Sequence, residues 1–548
     1  MAMDSPDFVL LSSDQTLTLR ETHISGACKL HFGQKPVKIV RSEAQFLYDD
    51  TGQKYLDCTS RTTNVGHCHP ETVRAACNQF MKLTVCNEHP SNKIENRLDY
   101  EYCQELLSTL PDNFQVCLFT NSGAEANDLA LKLARNYTGK NDVVVVDGSF
   151  HGAVNLLWDI SPKTFKQFHP DVAETNKILD AARGLGEKGF SSLLSEALIK
   201  EQPVSIPSSY SKNYTCKPPW VHVVPCPDMY RGPYAGHPDA AEKYFQQAKA
   251  AIDLAVQRNA SIGCFLSEPV FIVHGVLIPP PGWLKRVYSY IRELGGVVIA
   301  DEIQCGLGRS GSHFWAFQTQ DAIPDILTLG KPLGNGHPVG CVVTSKKIAA
   351  SLWPEDKSTY ECNPVAAEVG LAVLRLMQRE NFMENSFLLG IELTHGFRSI
   401  QPEHTIIGDV RGLGLMVAVD IVWTQESKKP APELAEVISY RMKDEYILVA
   451  NEGEYGNVLF FITPLCVTSK DIQVVIQVFH KIVTDVETSN LSLSMGFPGS
   501  SSGVRLVLQI PYCGPIIETD RQSYRQRRQK GFGGILLVEA GGGNGHRR

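Results

Sequence analysis

Gly296–Gln304 reads GVVIADEIQ. Val297, Val298, Ile299 and Ala300 follow one another with no polar residue between them, and then two carboxylates appear, Asp301 and Glu302. A strand with one wet face alternates apolar and polar residues, whereas an unbroken apolar run suits a strand buried on both faces. Similar runs stand at Val116–Thr120 (VCLFT), Val143–Gly148 (VVVVDG), Cys264–Pro269 (CFLSEP) and Asp325–Lys331 (DILTLGK). Helical patterns separate them: AEANDLALKLAR, with Ala126, Leu129, Ala130 and Leu133 at helical spacing, then AEKYFQQAKAAIDLAVQR and GWLKRVYSYIRELG. Strands alternating with helices predict an α/β fold with a mostly parallel sheet covered on both faces.

Ligands bind beyond the carboxyl ends of such strands, and the unusual residues collect there. Asp301 ends an apolar strand, where a carboxylate is costly without a cationic or hydrogen-bonding partner. A protonated pyridine nitrogen is one such partner; a capped turn is the other reading. In NSGAEAND (Asn121–Asp128), Ser122, Gly123 and Ala124 open a helix whose bare N–H groups suit a phosphate, or Ser122 simply caps it. In SFHG (Ser149–Gly152), Phe150 either stacks on a flat cofactor or packs in the core. Lys331 is a solvated turn lysine or a nucleophile held at a strand end, with a lowered pKa. Pro332 follows it, so LGK is no P-loop. GLGRSG (Gly306–Gly311) matches GxGxxG but does not open a helix directly from a strand, so no dinucleotide fold is expected. Cradle, aromatic, aspartate and lysine, in that order, point to pyridoxal 5'-phosphate.

The chain has 548 residues, 43% hydrophobic and 20% charged, with a net charge of −7. This is the composition of a globular protein of several domains. It suggests neither nucleic acid nor membrane as partner. Fifteen cysteines without repeated CxxC pairs predict reduced thiols, hence a cytoplasmic or mitochondrial setting and no secretion. GHCHP (Gly66–Pro70) reads as a loop entering a helix, and no metal site is expected. The expected organisation is an N-terminal segment, 1–70, lacking its own core and joining a smaller α+β domain at 361–487. Between them lies a large domain, 71–360, interrupted by an inserted polar loop at about 171–219. A basic Ser/Gly/Arg-rich tail, 488–548, is expected to be disordered. AQFLYDDTGQKYLDC reads as a hairpin. SKDIQVVIQVFHKIVTDVE reads as a helix capped by Ser469, with Ile472, Val475, Phe479 and Ile482 facing the core.

From about Leu17 to Glu487 the chain resembles class III pyridoxal-phosphate-dependent aminotransferases of fold type I, whose successive landmarks are NSGAEAND, SFHG, ADEIQ and LTLGKPLGNG. The resemblance implies a seven-stranded large-domain sheet and a homodimer or homotetramer. It implies that Lys331 carries the cofactor, Asp301 pairs with its ring nitrogen and Phe150 stacks on the ring. Ser122, Gly123 and Ala124 would hold the phosphate; His151, Glu268 and Gln304 would lie against the cofactor, and Thr359 would reach the phosphate of a neighbouring subunit. NVGHCHPETVRAA, DISP, WVHVVPCPDMYRGPY, HFWAFQ and GKPLGNGHPV are similar to the phospho-lyase branch, which eliminates phosphate from a phosphorylated amine such as phosphoethanolamine or phosphohydroxylysine. Arg411, in DVRGLGL, instead matches an arginine that holds a substrate carboxylate in aminotransferases of the ω-amino-acid or alanine–glyoxylate type. The chain departs from the family at TYECNP, where Glu361 and Cys362 replace two glycines, at TVCNEHPSNKIEN, and at VLFFITPLC, which lacks a basic residue common there. A catalytically impaired relative is therefore a third expectation.

Overall fold

The computed structural model describes residues 11–26, 28–33, 35–83, 97–164, 217–353 and 363–494. Three strands come first: β1 (Ile39–Glu43), β2 (Phe46–Asp49) and β3 (Lys54–Asp57). β2 and β3 form the expected hairpin. The central sheet follows, made of β4 (Val116–Thr120), β5 (Asp142–Val146), β6 (Val221–Val224), β7 (Ile262–Ser267), β8 (Val297–Asp301), β9 (Ile326–Leu329) and β10 (Gly340–Thr344). Its order is β4-β10-β9-β8-β7-β5-β6. β5, β6, β7, β8 and β9 pair in parallel, and β10 runs against both of its neighbours, β4 and β9.

Both faces of this sheet are dry, which is why its strands show no alternation. Val144, Val146, Phe265 and Val298 pack under the helices Ala240–Gln257 and Trp283–Glu293. Val143, Val145, Cys264, Leu266 and Ile299 pack under the helix Gly123–Thr138. Fully burying each such side chain is worth about 1.5–3 kcal/mol. The helix Gly123–Thr138 lays Ala126, Ala130, Leu133 and Ala134 on the sheet. It ends on Gly139, whose φ of +67° glycine adopts without strain.

A second, antiparallel sheet holds β11 (Ile407–Gly412), β12 (Val417–Ile421), β15 (Val458–Phe461) and β14 (Ala450–Glu452), in that order. The remaining strand, β13 (Ile447–Leu448), pairs in parallel with β3, so the C-terminal region completes the N-terminal sheet. The helix Ser469–Ser494 buries Ile472, Val475, Phe479 and Ile482 as expected. Its cap differs from the expectation. The Asp471 N–H donates to Thr468 Oγ1 (3.3 Å) and the Thr468 N–H returns a bond to Asp471 Oδ2 (3.0 Å), while Ser469 Oγ donates to Glu392. A reciprocal pair satisfies two otherwise orphaned groups, which one serine cannot do. The helix also continues past Thr488, where the tail was expected to begin. The rest of that tail and residues 171–216 of the expected inserted loop lie outside the described residues.

Two glycine- and histidine-rich motifs serve the fold. In GLGRSG, Gly308 and Gly311 adopt φ of +75°. They turn the fully buried Arg309 so that it donates to Asn64 Oδ1 (2.5 Å), the Thr463 carbonyl (2.8 Å) and the Leu415 carbonyl (3.4 Å). One side chain thus ties the central region to the N-terminal segment and to the second sheet. In GHCHP, His67 Nε2 pairs with Asp57 Oδ2 at 2.8 Å, and His69 caps the helix Pro70–Phe80.

Candidate active site

The carboxyl ends of β4, β5, β7, β8 and β9 carry the predicted residues. Ser122 is extended, and its Oγ accepts from the Glu125 N–H (3.2 Å), so it is a helix cap. The N–H groups of Gly123 and Ala124, in the first helical turn, meet no acceptor among the described residues. Such a terminus presents bare donors and a positive dipole end. The cradle is tight. A Cβ on Gly123 would lie 2.7 Å from Ile303, and one on Gly330 would lie 3.0 Å from the Gly123 Cα. The residue preceding Lys331 therefore packs directly on the cradle.

Asp301 is buried with three donors around it. Oδ2 accepts from Asn127 Nδ2 (2.9 Å) and faces His151 Nδ1 at 2.8 Å, and Oδ1 accepts from the Ile303 N–H (3.1 Å). For His151 to donate there, Nδ1 must carry the proton. The carboxylate is held by the chain itself and does not serve as a turn cap alone. Asn127 also donates to the His151 carbonyl (2.8 Å), tying the cradle helix to the loop after β5. Phe150, in that loop, is partly buried.

Lys331 opens a short 3-10 turn, Lys331–Gly334, with φ of +24°. A non-glycine residue in that region costs about 1–3 kcal/mol and persists where its surroundings fix it. Its amine has no hydrogen-bond partner among the described residues. Burial first, then the Arg61 guanidinium, bring its pKa down to about 8, against the pull of Asp301, Glu268 and Glu452. The share of free amine near neutral pH is therefore far larger than in a solvated lysine, as a nucleophile requires. Glu268 is buried, with Oε2 accepting from the Ile272 N–H at 3.1 Å. Burial first, then the Asp301 charge, hold its carboxyl well above the usual range.

Four buried polar atoms of these segments lack partners among the described residues: Glu268 Oε1, Gln304 Oε1, His151 Nε2 and Asn127 Oδ1. Orphaned groups of this kind are costly; Asn127 and His151 bond to Asp301, and Glu268 lies within electrostatic reach of Asp301 and Lys331, so three of the four border one place suited to a polar ligand. An anchored aspartate, bare N–H donors and a lysine with a lowered pKa fit pyridoxal 5'-phosphate. Ser122, Gly123, Ala124, His151, Glu268, Asp301, Gln304 and Lys331 come from segments that meet around this place.

Arg411 stands apart. Its Nε donates to the Gly275 carbonyl (2.8 Å), Nη1 to Asp409 (2.8 Å) and Asp420 (3.2 Å), and Nη2 to Asp420 (3.2 Å). Among the described residues no contact joins it to Lys331, Glu268 or Asp301. Thr359, with Glu361 and Cys362, lies outside the described residues. Four residues were not singled out from the sequence. Asn127 was legible, one turn after Gly123 and so on the same helix face. Arg61, Lys163 and Glu452 carried no local signal; each enters the site from a different part of the chain.

Residues 31–185 and 203–483 match the aminotransferase class-III family. A Drosophila melanogaster protein named alanine–glyoxylate aminotransferase 2-like is 34% identical over 503 residues, covering 90% of this chain and 92% of its own. Ethanolamine-phosphate phospho-lyase homolog 1 of Caenorhabditis elegans is 32% identical over 488 residues, covering 86% and 94%. A phospholyase from Arthrobacter, solved in complex with phosphoethanolamine, superposes with a TM-score of 0.72 at 28% identity, covering 86% of this chain and 99% of its own.

Proposed function

The chain belongs to the class-III aminotransferases, enzymes that use pyridoxal 5'-phosphate, and from that premise we propose that it is a phospho-lyase acting on a phosphorylated primary amine. The favoured reaction converts O-phosphoethanolamine and water into acetaldehyde, ammonia and phosphate. The observation that carries the reading is the closed state of Arg411. A substrate carboxylate would have to displace Asp409 or the fully buried Asp420 from it, and breaking a buried pair costs about 3–5 kcal/mol. Phosphoethanolamine has no carboxylate and makes no such demand. The likeness to the phospholyase solved with phosphoethanolamine adds support.

Bound at this site, the cofactor supplies an electron sink for a carbanion beside the substrate nitrogen. The chain's own residues do the rest. Asp301, fixed by His151 and Asn127, keeps a negative charge where the ring nitrogen is to stay protonated. Gly123 and Ala124 offer N–H groups to the phosphate. Lys331 takes the proton from the substrate carbon that bears the amine, and its lowered pKa suits a base at neutral pH. The C–O bond on the next carbon then breaks, and phosphate leaves with the electron pair. Water hydrolyses the product to aldehyde and ammonia.

The discriminating experiment incubates purified holoprotein with phosphoethanolamine or phosphohydroxylysine and no oxo-acid. Release of phosphate and ammonia in equal amounts is the expected result. Amino transfer that depends on an added oxo-acid would place the chain with its alanine–glyoxylate-type relatives instead. The reading includes a homodimer, supported by the exposed Val73, Phe80 and Met81 of one helix and its end. Light scattering at twice the 60.5 kDa chain mass is expected.

A further inference from the structure

Three charged side chains from three parts of the chain meet beside Lys331. Arg61 follows β3, Lys163 follows the loop after β5, and Glu452 ends β14. Arg61 Nη2 pairs with Glu452 Oε1, and the guanidinium lies 5.2 Å from the Phe460 ring centre. The Lys163 backbone N–H donates to the Ser149 carbonyl (3.2 Å), which places this lysine next to Phe150. Its ammonium has no hydrogen-bond or ion-pair partner among the described residues. Lys163 lies within electrostatic reach of Glu452, Arg61 and Glu268, and Arg61 within reach of Lys331. Burial holds the Lys163 ammonium below its ordinary pKa, against the pull of Glu452.

A half-buried lysine without a hydrogen-bond or ion-pair partner among the described residues, near an arginine whose carboxylate partner comes from another sheet, suits an anion. A substrate whose amine reaches Lys331 carries its phosphate two carbons and one oxygen away. We propose that Arg61 and Lys163 bind the phosphate dianion of the substrate, and that Glu452 is the placeholder the phosphate displaces from Arg61. The proposal rests on the phospho-lyase reading and names its specificity residues. A placeholder carboxylate spares a partly buried guanidinium from standing unpaired in the free protein. A phosphomonoester offers more charge and more acceptor oxygens than that carboxylate, so it wins the exchange, whereas a substrate carboxylate only matches it.

The test measures binding without turnover. Holoprotein is titrated with 2-aminoethylphosphonate, which has no ester to eliminate, and with β-alanine, its carboxylate counterpart, following the cofactor's absorbance. The phosphonate is expected to bind at least about tenfold tighter. Arg61→Gln and Lys163→Met each abolish that preference, Arg61→Lys retains part of it, and Glu452→Gln enlarges it. Thermal unfolding checks that the variants fold. If Arg61→Gln does not, Lys163→Met, which removes no hydrogen bond, decides alone. Preference unchanged in a folded Lys163→Met protein overturns the subsite. Phosphate release with a wild-type KM in both cation variants also overturns it, while leaving the lyase reading intact. Phosphonate binding through both cations without any phosphate release keeps the subsite and removes the lyase reading.

Discussion

At the scale of single residues, the site rests on two opposite uses of burial. Burial lowers the Lys331 pKa to about 8 and raises that of Glu268, so near pH 7 Glu268 is mostly neutral, while Lys331 is mostly ammonium but holds far more free amine than a solvated lysine. The apoprotein's Lys331 should therefore react with an aldehyde faster as pH rises, reaching half its maximal rate near pH 8. Borohydride trapping followed by peptide mapping measures this; a midpoint near that of a solvated lysine would contradict it. Asp301 instead works through geometry, meeting Asn127, His151 and the Ile303 N–H. Asp301→Ala removes the anion but leaves His151 and Asn127 buried without their acceptor. A loss of about 3–5 kcal/mol, or roughly 10²–10⁴-fold in kcat/KM, is expected, and a steady-state assay of the refolded holoenzyme reads it.

At the scale of elements, helix termini and tight turns carry the geometry. The helix Gly123–Thr138 starts where its donors face the site because Ser122 caps it and Gly330 packs on Gly123. Gly123→Ala pushes a methyl into Ile303. It should weaken cofactor affinity several-fold, read by equilibrium dialysis, while the apoprotein's far-ultraviolet spectrum is unchanged. At the other end of the chain, Thr468→Ala breaks the reciprocal cap of the last helix and should cost about 1 kcal/mol of stability, measured by urea unfolding. Ser469→Ala should cost less, since its hydroxyl makes only a solvent-exposed hydrogen bond, to Glu392. The reverse order would return the cap to Ser469.

At the scale of the whole molecule, Arg309 and Glu302 hold regions together from inside. Glu302 accepts from the Ala316 and Phe317 N–H groups (2.9 and 2.6 Å), and burial pushes its pKa up to about 7. A carboxyl whose folded pKa exceeds its ordinary 4.5 binds a proton more tightly in the folded chain. Its contribution is thus fully present below about pH 4.5 and lost as pH rises through about 7. Wild-type protein should lose more stability between pH 5 and pH 8 than Glu302→Gln does, by urea midpoints at both values. Arg309→Met leaves the Asn64 side chain and two carbonyls buried without their donor. It should lower the thermal midpoint by several degrees, even though residue 309 contacts none of the proposed catalytic groups.

What the sequence determined by itself was whatever is written locally. Unbroken apolar strands such as β5 and β8 announced a sheet buried on both faces, because only there is alternation unnecessary. Glycine, small residues, Asp301 and Lys331 at strand ends announced the site, because strand ends converge on one edge of a parallel sheet. β10, running against its neighbours, and the short β6 were not singled out, since GCVVT and VHVV state neither direction nor partner. Tertiary structure alone decided which distant charges meet. Arg411 is closed by Asp409, Asp420 and a carbonyl from another region, and Arg61, Lys163 and Glu452 gather beside Lys331 across nearly four hundred residues of chain. Electrostatic partnership depends on distance through space, and no pattern of neighbours along the chain encodes that distance.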